Sequence, residues 1–92
     1  MPDFNTAKVA FKNAVNLFSD NNLNEAIEQL NEILNTHPEH LNALDLLGII
    51  FIKLNKPDKA LEVINKSISL NKDNKKYLDT KYKLLIFKGD NN

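Results

Sequence analysis

The chain repeats itself at an offset of 34 residues. The run Ala26-Ile27-Glu28-Gln29-Leu30-Asn31-Glu32-Ile33-Leu34 aligns with Ala60-Leu61-Glu62-Val63-Ile64-Asn65-Lys66-Ser67-Ile68. Most apolar positions coincide, Glu28 falls on Glu62, and Asn31 falls on Asn65. A fixed period near this length is the mark of a stacked helical hairpin, a unit that cannot bury its apolar face alone. Such arrays build a continuous surface from stacked helices, which points to binding rather than catalysis.

The spacing predicts five helices and no strand, because apolar residues recur at helical intervals and nowhere alternate with period two. The first runs from Asn5 to Asp20, with Ala7, Ala10, Ala14, Leu17 and Phe18 on its apolar stripe. Asp20-Asn21-Asn22 is a turn, and Asn22 with Glu25 three residues on has the form of a capping box for a second helix ending near Thr36. Pro38 suits the first turn of a third helix, Glu39 to Leu54. Pro57, after the turn Asn55-Lys56, opens a fourth that ends near Leu70. Asn71 to Asn74 is polar, and a fifth helix spans about 75–88 before Gly89, a residue that suits a helix C-terminus. The short joints imply antiparallel neighbours in one domain, residues 1–92.

These residues resemble the tetratricopeptide repeat family. In the second unit, 41–74, Leu47-Gly48 stands at the family's Leu-Gly pair, Phe51 at its aromatic position, and Ala60, Ile64 and Ser67 at its small, large and small positions. The first unit, 7–40, matches at Ala14, Leu17, Leu23, Ala26, Leu30 and Pro38. There Ala10 replaces the usual bulky residue and Asn13 the usual Leu. The resemblance implies an all-α, antiparallel helix-hairpin solenoid in which Gly48 and Ala60, like Ala14 and Ala26, let two helices cross closely. Tyr82 stands where a third unit would carry Gly or Ala. The segment 75–88 therefore reads as a terminal capping helix; Gly89-Asp90 resembles the turn after a first hairpin helix, which keeps a truncated third unit as the alternative.

Several chemistries find no support in the residues. Two His three apart, His37 and His40, lack a third strong ligand nearby and sit at a helix start, so they read as polar residues of a turn rather than a metal site. Ser19, Ser67 and Ser69 have no His-Asp partner at readable spacing, and with two Gly in the whole chain there is no phosphate loop. No catalytic residue, metal or cofactor is expected. Twelve Lys balance twelve Asp and Glu, and Arg is absent, so nucleic acid is not an expected partner. The longest apolar run, Leu46 to Ile52, is too short to span a bilayer. The N-terminal residues carry no basic and apolar regions of a signal peptide, and the lack of Cys is compatible with a reducing cytoplasm, the expected location.

The resemblance places one face of the first, third and fifth helices along a concave groove. Its expected lining is Phe11, Val15, Phe18, Leu46, Ile49, Ile52, Lys83 and Ile86, with Lys8, Asn42, Asp45, Asp79 and Phe87 beside them. Leu46, Ile49 and Ile52 form a stripe apart from Leu44, Leu47 and Phe51, so the third helix is apolar almost all round, unlike a helix with one wet face. Either a partner covers the stripe, or tight curvature or an N-terminal tail through Phe4 buries it. Some relatives clamp the acidic tails of chaperones; at the matching places this chain has Phe11, Val15, Leu46, Lys76 and Thr80, and only Lys76 suits that role. Residues 1–50 net −5 and residues 51–92 net +5, a dipole suited to a solvated end, to stacking of copies or to an acidic partner. The expected function is a module that binds a protein, a peptide or a second copy of itself through an apolar groove. The alternative is an N-terminal regulatory or scaffolding module of a larger enzyme, because His37-Pro38-Glu39-His40 followed by Leu46-Leu47-Gly48 is similar to arrays that precede bacterial glycosyl- and sulfotransferase domains.

Overall fold

The computed structural model describes residues 4–70, which form α1 (Phe4–Ser19), α2 (Leu23–Thr36), α3 (Leu41–Lys53) and α4 (Pro57–Leu70). Among the described residues, each of α2, α3 and α4 and the Ala7–Ala14 side of α1 contributes buried residues to the interior. The fifth helix expected at 75–88 lies outside the described residues, as do Lys83 and Ile86. α1 packs on α2 and α3 on α4, α2 joins the two hairpins by packing on α3, and α1 touches α3 only lightly. Phe4 begins α1 itself rather than belonging to a preceding tail.

The two hairpin joints are copies of one another. Asn21 and Asn55 have φ of 63° and 61°, the left-handed conformation that Asn tolerates better than most residues. Around each, the chain closes its helix the same way. Asn21 N–H donates to Phe18 O at 3.0 Å and Asn22 N–H to Leu17 O at 2.8 Å; Asn55 N–H donates to Ile52 O at 3.0 Å and Lys56 N–H to Phe51 O at 2.8 Å. These are the paired bonds of a Schellman motif, which satisfies the last carbonyls of a helix. The joint also corrects the expected capping box. Asn22 makes no side-chain cap bond, and its φ of −88° and ψ of 69° are not those of a normal N-cap. The Asn22 N–H that Glu25 was to occupy is already given to Leu17 O.

The joint between hairpins is built differently. The third helix begins at Leu41, two residues later than Glu39, so Pro38 precedes the helix rather than lying in its first turn. The cap is His40: its backbone is extended, and its Nδ1 accepts from Ala43 N–H at 3.0 Å. This satisfies one of the N–H groups that a helix start leaves without a partner.

Small residues set the helix crossings. Ala14, Ala26 and Ala60 are completely buried, and Gly48 faces Ile64. A Cβ on Gly48 would stand 3.2 Å from Ile64 Cγ1. The larger buried side chains Leu30, Leu44, Ile50 and Ile64 fill the space between the crossings. Ser67 is fully buried, and its hydroxyl donates to Val63 O at 3.3 Å, so it adds no unsatisfied polar atom.

Candidate functional site

Two ring contacts bridge α1 and α3 and define a cleft between them. Phe11 meets the His40 imidazole at the start of α3, with ring centroids 5.5 Å apart and planes inclined by 34°. One end of the cleft is thus marked by the same His40 that caps the helix. At the other end Lys53 Nζ lies 5.2 Å from the centroid of Phe18, a cation–π contact. The earlier residue of α1 pairs with the start of α3 and the later residue with its end, so the two helices run in the same direction.

Between these bridges the surface is apolar. Phe11, Val15 and Phe18 share one stripe of α1, since residues three and four apart lie on one helix face. Val15 is 37% exposed and Ile52 39%, while Phe11, Phe18 and Ile49 are half-buried. Phe11 and Phe18 also pack against the core, so their rings form a fixed floor for the cleft. Leu46 departs from the expected lining: it is 9% exposed and belongs to the core cluster with Leu47 and Ile50. Of its stripe, Leu46 is buried with the core, Ile49 is half-buried and Ile52 is exposed.

The histidines of the α2–α3 joint are tied into local structure. Thr36 Oγ1 and His37 Nδ1 share a hydrogen bond of 2.9 Å, and His40 Nδ1 is occupied by the helix cap. Ala7, His37, Pro38, Glu39 and His40 line a recess of about 420 Å³ beside the Phe11 end of the cleft. Among the described residues, no three His, Cys, Asp or Glu groups converge as metal ligands. Also among them, no helix is long and apolar enough to cross a membrane.

Sequence reading missed both bridges. The sequence reads His40 as a polar residue of a turn at a helix start, and the structure makes it the N-cap of α3 with its ring against Phe11. Lys53 is not among the residues of the expected lining. Its link to Phe18 is visible only when the two units are laid side by side, where the two residues fall at neighbouring positions.

The profile of the tetratricopeptide repeat matches residues 17–84, from the last turn of α1 onward. The chain belongs to the tetratricopeptide repeat family. Tetratricopeptide repeats generally act as non-catalytic modules for protein–protein interaction. Among solved structures, pilF of Pseudomonas aeruginosa superimposes with a TM-score of 0.79 at 24% identity, over 91% of this chain and 39% of that one. The chain thus spans well under half the length of that protein. A tetratricopeptide repeat domain protein of Salinibacter ruber superimposes in its crystal form with a TM-score of 0.76 at 19% identity, covering 85% of this chain and 94% of that one. Its solution structure gives 0.78 at 20% identity, covering 90% of each chain. At these identities the likeness establishes the tetratricopeptide fold alone. No curated protein matches the sequence.

Proposed function

We propose that this tetratricopeptide chain is a binding module whose cleft between α1 and α3 receives an apolar segment of a partner protein. The observation that carries this reading is the exposure of Val15 and Ile52 on an apolar surface shared with the half-buried Phe11, Phe18 and Ile49. Fully burying a large aliphatic side chain is worth about 1.5–3 kcal/mol, and roughly a third of that remains to be gained at each of Val15 and Ile52. Ordered rings on either side reduce what a ligand must spend to organise the site. An apolar face that runs along two parallel helices suits an amphipathic helix or an extended strand-like segment. Among the described residues the cleft is aliphatic and aromatic, and the nearby His37 and His40 each make a local hydrogen bond.

Val15→Lys combined with Ile52→Lys tests the reading. Both sites are surface positions, so the helical circular dichroism signal should be retained. Binding of the natural partner, measured by titration calorimetry, should weaken at least tenfold, because an introduced ammonium must be desolvated against apolar surface. A folded double variant with unchanged affinity would show that the cleft is not the binding site.

A further inference from the structure

Among the described helices, charge is sorted by layer as well as by half. The inner helices α1 and α3 carry Lys8, Lys12 and Lys53 against one acid, Asp45, a net of +2. The outer helices α2 and α4 carry Glu25, Glu28, Glu32, Asp58 and Glu62 against Lys59 and Lys66, a net of −3. The first 50 residues are acidic as a whole, yet the helix they contribute to the near side of the cleft has no acid at all. Asp45, the only carboxylate on either inner helix, is already engaged in an interaction of its own.

The lysines also stand where a bound segment would end. Lys8, Phe11, Val15 and Phe18 follow one another at helical spacing on α1, so Lys8 extends the apolar stripe by one turn. Lys53 marks the opposite end, held over the Phe18 ring. A rise of 1.5 Å per residue puts these ends about 15 Å apart along the helix axis. That length is covered by about ten residues of helix or about five of extended chain. The attraction of the ring face biases the exposed Lys53 ammonium toward that end of the cleft, where a carboxylate can form a charge-assisted hydrogen bond with it.

We infer that the segment received by the cleft is acidic at both ends: an apolar core flanked by Asp or Glu side chains that meet Lys8 and Lys53. This rests on the cleft being the binding site. It differs from the capture of a chain-terminal carboxylate, for which the chain has Phe11 and Val15 at the required places.

The test is a display selection with random 12-residue peptides, their C-termini fused to the carrier so that only side-chain carboxylates are offered. The whole chain is immobilised in three forms: unaltered, Lys8→Gln with Lys53→Gln, and Val15→Ser with Ile52→Ser. Circular dichroism checks that all three are equally helical. The unaltered chain should enrich peptides with acids on both flanks of an apolar core. Selected peptides should bind the double Gln form about fivefold more weakly per lost pair, and the difference should shrink as salt rises. Apolar peptides without flanking acids, or equal affinity for the double Gln form, would overturn the charge inference and leave the cleft in place. If the same peptides bind the double Ser form equally well, or if none is enriched on the unaltered chain, the cleft itself is not the site, and both readings fall.

Discussion

Gly48→Ala sets two effects of similar size against each other. In a helix interior Ala is favoured over Gly by about 0.8–1.0 kcal/mol. The new methyl would lie 3.2 Å from Ile64 Cγ1 and 3.5 Å from Ile64 Cδ1. The first distance is inside the optimum carbon separation of about 3.5–4.0 Å, so Ile64 must retreat by a few tenths of an ångström. Ile64 is almost completely buried and, being β-branched, has few rotamers to retreat into. Overpacking of this kind costs about 1–3 kcal/mol. The net expectation is destabilisation by about 1 kcal/mol, a fall in Tm of about 4–8 °C for a domain of this size. The first repeat supplies the remedy, because it carries Ala14 and Leu30 where the second has Gly48 and Ile64. Gly48→Ala with Ile64→Leu moves the branch one carbon out and should recover at least about 0.5 kcal/mol relative to the sum of the single changes. Gly48→Leu has no such escape and should cost more than Gly48→Ala. Thermal and urea melts followed by circular dichroism measure all four variants. If Gly48→Ala gains its full helix preference and Gly48→Leu melts like the unaltered chain, the helices do not cross at the distance described.

Other expectations concern the joints. Asn55→Ala forces a side chain with less tolerance into φ of 61° and should cost about 1 kcal/mol in a urea melt, whereas Asn55→Gly should match or exceed the original stability. His40→Ala removes the acceptor for Ala43 N–H and should cost about 0.5–2 kcal/mol. His40→Asn should return most of this loss; if instead it melts like His40→Ala, the imidazole contributes through its packing on Phe11 rather than as a cap.

The fold was legible because the repeat is written in residue size. Ala14, Ala26, Gly48 and Ala60 are small for one geometric reason, and a single chain displays that reason twice. The departures in the first repeat also have a physical account. Val9 is 61% exposed, and Ala10, Asn13 and Gln29 line the surface around it. Their counterparts 34 residues on, Leu44, Leu47 and Val63, occupy the face that meets the first hairpin, and Leu47 and Val63 join the shared core. Of the two imperfect matches, Asn13 is therefore exposed and Ala10 lies half-buried at the edge of the core. The cleft was less legible. Periodicity separated Leu46, Ile49 and Ile52 from the rest of α3 but could not tell that Leu46 is buried while Ile52 is exposed, because that depends on how the neighbouring helices pack on α3. Capping was misread at both helix starts for a similar reason. Asn22 has the right chemistry for a cap, but its backbone is already used in ending α1. His40 lacks a typical cap composition yet occupies the right backbone position.

The joints at Asn21 and Asn55 also act as phase locks. Each residue of an α-helix turns the next by about 100°. One residue added between Asn22 and Leu23 would leave the end of α1 intact and present α2 rotated by more than a quarter turn. Ala26, Leu30 and Ile33 would swing away from α1, and Glu25 or Glu32 would be turned toward the interior. Point changes along the helices can be absorbed one at a time, but a change of length at a joint alters the facing of a whole helix. A chain of this design can therefore vary its residues widely while keeping its spacing almost fixed.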